Sequence, residues 1–147
     1  MKHILFILLV CATPCFAKIG DGLFEIERRY GKGTVVYDAM ADQIKRQKAM
    51  SGKNAQSASD QKDIEFPHKY NTKIKFIFLQ NKAVKILFEK TSDVPFTNEE
   101  IKAILLENGF KEENGELKSE WNKASYTVDK NKLTISDNQK GASVAFH

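Results

Sequence analysis

Cysteine, histidine and proline are scarce in this sequence, which has two, three and three of them among 147 residues. Both cysteines, Cys11 and Cys15, lie near the start, so no disulfide can cross-link the rest of the chain. Zinc sites depend on cysteine and histidine ligands, and a catalytic triad needs a histidine beside its nucleophile. The composition therefore gives no support to a disulfide scaffold, a zinc site or a triad, and we expect no cofactor.

The residues that remain offer little for catalysis. His68 follows Pro67, and we interpret it as a loop residue rather than a base. No serine stands in a nucleophile-elbow pattern. Asp129 and Asn131 resemble part of a calcium loop, but the glycine and the distal glutamate of that loop are missing. We therefore name no catalytic, cofactor-binding or metal-ligating residue.

The first residues have the features of an export signal. Lys2 and His3 precede an unbroken apolar run from Ile4 to Val10, and Ala17 follows as the small residue of a cleavage site. The run is shorter than the roughly 20 apolar residues that span a bilayer. We predict a signal peptide over residues 1–17, cleaved after about Ala17, and export to the periplasm or beyond the cell. We expect no transmembrane segment in the mature chain.

Charge and length favour a small globular domain. The chain has 23 basic and 19 acidic residues, interspersed, and a net charge of +4. This mild excess is typical of a solvated surface and not of a nucleic-acid-binding protein, so we expect no nucleic-acid partner. Residues 18–147 have the length of one domain. Within them a stretch rich in serine, alanine, asparagine and glutamine predicts a flexible loop at about 51–66.

Three segments have helical patterns. Asp21 to Tyr30 begins with a good N-cap residue and is followed by Gly31, a typical helix stop. Asp38 to Met50 is a second candidate. Phe96 to Phe110 has the clearest signals, because Thr97 and Glu100 are spaced as a capping box, Phe96 and Ile101 as a hydrophobic staple, and Gly109 as a stop.

Two segments have the alternation of β-hairpins. From Lys73 to Lys90 a three-residue turn at 80–82 sets Phe78 opposite Val84, Phe76 opposite Ile86 and Ile74 opposite Phe88. From Ala124 to Ser136 a four-residue turn at 129–132 sets Val128 opposite Leu133 and Tyr126 opposite Ile135. Shorter strands are predicted at Thr34 to Tyr37, Leu117 to Trp121 and Ala142 to Phe146.

The resulting fold class is α+β. We predict an antiparallel sheet of two hairpins covered on one face by helices, in the order helix-hairpin-helix-hairpin. Each hairpin has one apolar face, and amphipathic helices can cover it.

Several short motifs resemble those of small exported bacterial proteins of unknown function. These are Ile19-Gly20-Asp21 with a helix that ends at Tyr30-Gly31, the hairpin Phe78 to Val84, and the helix start Phe96 to Ile101. More distantly, the beginning is similar to the SmpA/OmlA envelope family and to the β-lactamase-inhibitor-protein fold. Both are non-enzymatic, so the resemblance implies a binding or scaffolding role in the envelope. The sequence departs from them in having no acceptable lipidated cysteine and in the extra stretch 38–62.

The candidate interaction surface comprises Lys45, Arg46, Lys48 and Trp121. The three basic residues, with Tyr37 and Tyr70 near them in sequence, could bind anionic lipid or polysaccharide, although a solvated helix face is the preferred interpretation. Trp121 suits either the core or an exposed binding anchor.

Three function classes stay open, none of which the sequence resolves alone. We expect an exported, non-catalytic binding or scaffold module of the cell envelope, with another envelope or extracellular protein as its partner. One alternative is a protein inhibitor of an extracellular hydrolase, which would carry an aromatic or acidic anchor on a protruding loop. The other is a carboxylate-dependent hydrolase, which would need a cleft with two carboxylates, at least one of them with a raised pKa.

Overall fold

The computed structural model describes residues 18–49, 60–69, 71–120 and 123–147. This part of the chain forms three α-helices, eight strands and one short 3₁₀ helix. The helices are α1 (Leu23–Tyr30), α2 (Ala39–Ala49) and α3 (Asn98–Glu107), and the 3₁₀ helix is Gly141–Ser143. The strands are β1 (Thr34–Asp38), β2 (Lys62–Lys69), β3 (Thr72–Leu79), β4 (Lys82–Lys90), β5 (Phe110–Glu113), β6 (Glu116–Ser119), β7 (Ala124–Asp129) and β8 (Lys132–Asp137).

Six of these strands form one antiparallel sheet in the order β1-β2-β3-β4-β8-β7, and β5 and β6 form a separate two-stranded sheet. The protein is thus a mixed α+β fold in which strands dominate. The predicted helix-hairpin-helix-hairpin order is wrong, because β1 and β2 extend the first hairpin and β5–β6 stands between α3 and the last hairpin.

One face of the large sheet carries the core. Alternate residues of its central strands point to the same side of the sheet, where they pack with Ile26 of α1 and Leu105 of α3. Both of these helix residues are fully buried. The strand residues of this cluster are Ile64, Phe66, Ile74, Phe76, Phe78, Ala83, Ile86, Phe88, Leu133 and Ile135 of the large sheet and Phe110 of β5. Helices α1 and α3 therefore cover the apolar face of the central strands, as the sequence pattern predicts. The prediction is wrong for the outer strand of the second hairpin, where Tyr126 and Val128 of β7 are exposed.

The first hairpin has a different turn from the predicted one. Ile74 pairs with Phe88 and Phe76 with Ile86 as expected, but Phe78 pairs with Ala83 instead of Val84. The turn is the two-residue pair Gln80 and Asn81, both with positive φ, which matches a type I′ turn. A bulge at Val84 absorbs the one-residue difference and keeps the apolar residues on one face.

The loop predicted at about 51–66 needs a correction in its last part. Residues 62–66 belong to β2, which pairs with both β1 and β3. Ile64 and Phe66 are buried and alternate with Asp63 and Glu65, the period-two pattern of a strand. Residues 51–59 lie outside the described part of the chain.

The second half of the chain confirms one hairpin and adds another. Val128 pairs with Leu133 and Tyr126 with Ile135, as predicted, but Asp129 also pairs with Lys132, so the turn consists of the two residues Lys130 and Asn131 instead of four. The hairpin β5–β6 turns at Asn114 and Gly115, both with positive φ. Asn-Gly is a strong sequence signal for a hairpin turn. The sequence pattern predicts only one strand here, at 117–121, and does not predict its partner β5. The predicted strand at 142–146 is wrong: a 3₁₀ helix is followed by an extended segment, 144–147, that pairs with no strand of the described chain.

Of the two helix caps predicted from the sequence, the structure confirms the cap of α3 and not that of α1. Thr97 Oγ1 accepts a hydrogen bond from the Glu100 backbone N–H at 3.2 Å, and the Glu100 carboxylate accepts one from the Thr97 N–H at 2.7 Å, so the capping box is confirmed. The cap predicted for α1 is wrong. Asp21 accepts from the guanidinium of Arg29 at 2.7 Å, and the N-cap of α1 is Gly22.

Candidate ligand cavity

A cavity of about 340 Å³ lies between α3 and the end of the sheet nearest the start of β3. For comparison, an engineered cavity of roughly 150 Å³ in another protein takes up benzene. The present cavity therefore has room for a small organic molecule. Its lining residues are Tyr30, Thr72, Ile74, Phe88, Phe96, Glu100, Ala103, Ile104 and Glu107.

One stripe of α3 forms the roof of the cavity. Glu100, Ala103, Ile104 and Glu107 are spaced i, i+3, i+4 and i+7, so they lie on one face of the helix. The middle of this stripe is apolar and each end carries a carboxylate. Leu105 points instead into the core, where it is fully buried. The helix therefore presents one stripe to the core and a neighbouring stripe to the cavity.

The sheet supplies the floor and two aromatic residues supply the walls. Ile74 and Phe88 are direct cross-strand partners on β3 and β4, and both are almost fully buried. Phe96 comes from the loop before α3. Tyr30 comes from the last position of α1, where its ring packs against Phe76 with a centroid distance of 5.7 Å. Elements distant in sequence thus meet around one largely apolar space.

Tyr30 places a neutral hydroxyl at the cavity. Burial, with a smaller contribution from the negative charge of Glu107, raises its pKa to about 12, against the opposing effects of Arg29 and of a hydrogen bond with Asn108. At neutral pH the phenol is therefore protonated and can serve as a hydrogen-bond donor. The carboxylate of Glu107 and the hydroxyl of Tyr30 make this end of the cavity its polar end.

Glu100, at the opposite end of the stripe, is held as a carboxylate. The hydrogen bond from Lys90 Nζ, at 2.7 Å, is the main cause of a lowered pKa, and the bond from the Thr97 N–H adds to it. Lys90 Nζ also donates to the carbonyl of Pro95 and lies 5.0 Å from the centre of the Phe96 ring. These contacts fix the loop that forms one wall of the cavity.

The residues predicted for an interaction surface lie elsewhere. Lys45 and Arg46 are exposed on α2, and Arg46 pairs with Asp42 one turn earlier at 2.8 Å. Lys48 belongs to the same helix, but its side chain lies outside the described part, as do Trp121 and Tyr70. The structure therefore brings Lys45 and Arg46 onto one exposed helix and does not bring them to the cavity.

Other predicted positions have clear places in the fold. His68 belongs to β2 and not to a loop, which corrects its interpretation. Phe110, predicted at the end of the helix, is instead the first residue of β5, where it is buried and packs edge-on against Tyr126 at 5.7 Å. Within the ranges that the structure describes, no three histidine, cysteine or acidic side chains cluster closely enough to hold a metal ion.

The lining residues escape sequence reasoning for a physical reason. Ala103 and Glu107 belong to a helix face that looks like an ordinary solvated face, since an exposed alanine and a carboxylate are common there. The signal that could have found them is the acidic-apolar-acidic spacing of Glu100, Ile104 and Glu107. That spacing becomes informative once Tyr30 and Phe96 are known to face it.

Comparison with known proteins returns no match for this chain, whether with family models, with curated proteins or with solved structures. Among the described residues, no helix is both long and apolar enough to cross a membrane. The geometry of the cavity is therefore the main basis for a functional proposal.

Proposed function

We propose that this chain is an exported, non-catalytic binding domain of the cell envelope, and that its ligand occupies the cavity under α3. The observation that carries the proposal is a cavity of about 340 Å³ with apolar walls and a few polar groups at its ends. Small-molecule sites in proteins are typically concave, mostly apolar and oriented by a few polar groups.

The charges at the cavity indicate the class of ligand. Both ionisable groups on the α3 stripe, Glu100 and Glu107, are acidic, and the Tyr30 phenol stays protonated. Lys90 pairs with Glu100 at 2.7 Å and offsets its charge, so the acidic character of the cavity comes chiefly from Glu107 at the other end. An anionic ligand would meet this carboxylate, whereas an amine would meet complementary charge. The ligand that fits best has an apolar body and an amino or other hydrogen-bond-donating group.

The state of Glu100 supports a binding role over hydrolysis. A carboxylate-dependent hydrolase needs a carboxyl group with a raised pKa to donate a proton. The pKa of Glu100 is lowered instead, and its carboxylate accepts hydrogen bonds from Lys90 and Thr97.

Export is part of the proposal and has its own test. The expected signal, residues 1–17, precedes the described part of the chain. Amino-terminal sequencing of the protein recovered from its native host should begin at about Lys18. A recovered chain that begins at Met1 would contradict export by this signal.

Two fluorescent dyes of nearly the same shape test the ligand class. N-phenyl-naphthylamine is apolar with one N–H donor, and anilinonaphthalene sulfonate adds a negative charge. We expect the first dye to bind saturably and at least tenfold more tightly than the second, because the sulfonate meets acidic groups. Equal affinities, or tighter binding of the sulfonate, would contradict the assigned ligand chemistry.

Two pairs of substitutions, each a test variant with its control, show whether the dye binds in the cavity. Ala103→Phe fills the space under α3 and should abolish binding, whereas Leu106→Phe, on an exposed part of the same helix outside the lining, should not. Glu107→Gln removes a negative charge from the cavity and should reduce the ratio of the two dye affinities. Glu113→Gln, on β5 outside the cavity, should leave that ratio unchanged. Equal effects of both phenylalanine variants would mean that the dye binds elsewhere.

A protein partner remains a separate prediction. Met40 and Ile44 are about half exposed on α2, the helix that also carries Lys45 and Arg46. This surface is where an envelope or extracellular protein would bind, and the inhibitor alternative would use a surface of the same kind. Pull-down with Met40→Ser and Ile44→Ser variants, compared with the unchanged chain, tests it.

A further inference from the structure

The second face of the sheet, which α1 and α3 leave open, is crossed by the extended segment 144–147. Tyr37, Asp63, Ile77 and Lys85 form one row across four adjacent strands, since each pairs in register with the next. Ile77 is fully buried although it does not belong to the main core cluster. Because the segment binds residues on both sides of Ile77, it covers that residue.

Side chains of the sheet bind the backbone of this segment. Lys85 Nζ donates to the carbonyl of Val144, and Gln61 Nε2 donates to that of Ala145 at 2.9 Å. At His147, Lys75 Nζ donates to the carbonyl at 2.9 Å. Three of the four residues, Val144, Ala145 and His147, are thus held through main-chain groups.

Asp63 is the centre of this arrangement. Its side chain is fully buried, and its carboxylate accepts hydrogen bonds from the His147 backbone N–H and from Gln61 Nε2, both at 2.8 Å. A buried carboxylate costs free energy unless hydrogen bonds compensate it. An apolar pair would hold a purely structural segment at least as well. The polar partners therefore point to recognition of an extended main chain.

Two aromatic side chains give the segment its specificity. The His147 ring stacks on Tyr37 with a centroid distance of 4.0 Å and an interplanar angle of 28°. The Phe146 ring lies 6.0 Å from Lys75 Nζ and 5.9 Å from Lys85 Nζ, within the range of cation–π attraction. The sheet surface under the segment thus favours an aromatic residue at the third position of the segment, occupied by Phe146, and a flat ring at the fourth, occupied by His147.

We propose that this row, with Gln61 and Lys75, is a peptide-binding groove that segment 144–147 occupies as a displaceable strap. Its ligand is an extended peptide of a partner protein with the same chemistry, an aromatic residue followed by a flat ring. The strap is suited to displacement, because Ala145 and His147 are exposed and its bonds are made mainly to side chains. A competing peptide can bind only while the strap is displaced. Its apparent affinity therefore equals its intrinsic affinity multiplied by the fraction of molecules in which the groove is open.

A labelled synthetic peptide with the sequence of residues 141–147 tests the groove by fluorescence anisotropy. A chain that ends at Ser143 lacks the strap and should bind the peptide saturably, at least tenfold more tightly than the full chain. The same peptide with alanine in place of phenylalanine should bind at least threefold more weakly. A shortened chain that keeps its circular dichroism spectrum and binds neither peptide, or both equally, overturns the proposal.

Single substitutions keep the test decisive if the shortened chain does not fold. A Cβ at Gly141 would lie 2.5 Å from the Val84 carbonyl oxygen, so Gly141→Ala in the full chain should loosen the strap and tighten peptide binding. Unchanged affinity in a folded Gly141→Ala chain overturns the proposal.

Two lysines of β3 provide a matched pair. Lys75→Met should weaken binding at least threefold, whereas Lys73→Met should not, because Lys73 lies on the same face and pairs with Glu65. Equal effects of the two changes would overturn the assigned groove. The fraction of dimer in the full chain can also be measured against concentration. A dimer fraction that rises with concentration and is lost on truncation at Ser143 would mean that a second copy supplies the peptide. That result would overturn the assignment to a partner protein.

Discussion

The Glu100 carboxylate accepts a hydrogen bond from Lys90 Nζ at 2.7 Å while it also caps α3. One side chain thus joins the start of the helix to β4 at the mouth of the cavity. Because Lys90 also donates to the Pro95 carbonyl, the wall that carries Phe96 is fixed by the same pair. The helix that roofs the cavity is therefore positioned by polar contacts as well as by its buried stripe.

Removing the Thr97 cap should destabilise the protein modestly. Thr97→Ala leaves the Glu100 backbone N–H without its side-chain acceptor, which is expected to cost about 1 kcal/mol. Thr97→Ser keeps an acceptor and should recover most of the loss. Urea unfolding followed by circular dichroism measures both, and equal stability of the two variants would contradict a capping role.

The stability that Glu100 contributes should depend on acid pH. Because its pKa is lowered in the folded protein, chiefly by Lys90, its contribution is present above the ordinary value of 4.5 and is lost as pH falls through the folded value. Glu100→Gln should therefore show a smaller loss of stability in that range than the unchanged chain. Unfolding curves collected from pH 6 to pH 3 measure the difference, and parallel curves would contradict it.

Tyr30 should make the protein sensitive to alkali. Its pKa rises from 10.0 to about 12 on folding, so the unfolded chain releases this proton first. Its contribution is fully present below pH 10 and is lost as pH rises toward 12, to a total of about 2–3 kcal/mol. Tyr30→Phe should remove this part of the alkaline loss. Unfolding curves for the two chains that stay parallel from pH 9 to pH 12 would contradict the raised pKa.

Two positions on α1 should respond very differently to truncation. Ile26 is fully buried in the core, so Ile26→Ala should cost about 2–5 kcal/mol. Phe24 is 70% exposed on the same helix, and Phe24→Ala should change stability by about 0.5 kcal/mol or less. Denaturant unfolding compares them, and a larger loss at Phe24 would mean that α1 packs with its other face.

Local signals predict part of this fold well. The Thr97–Glu100 capping box, the positive φ of Gly31 and Gly109 at helix ends, and the pairing of Phe76 with Ile86 all follow from nearby residues. Such features depend on backbone chemistry within a few positions, which a single sequence displays.

The turn of the first hairpin and the partner of Asp21 are harder to predict, because the local sequence is compatible with more than one arrangement. A three-residue turn, or a two-residue turn with a bulge at Val84, keeps Phe76 and Ile74 on the core face, and alternation alone does not separate them. Asp21 has two good partners, the α1 backbone and Arg29, and the geometry of the fold selects Arg29.

The candidate cavity lies beyond local reasoning altogether. Its walls come from Tyr30, Phe96 and Ile104, and its floor from Ile74 and Phe88. Each of these residues has an ordinary local role in a helix, loop or strand. The space between them is a property of how the elements pack, and a sequence read in windows does not contain it.

Nuclear magnetic resonance of the isoleucine-methyl-labelled protein shows whether a small molecule enters the cavity under α3. Titration with N-phenyl-naphthylamine should shift the methyl signals of Ile74 and Ile104, which line the cavity, and leave Ile77 on the opposite face unchanged. Signals that do not move at saturating dye, or that move at Ile77 and not at Ile104, would contradict a binding site under α3.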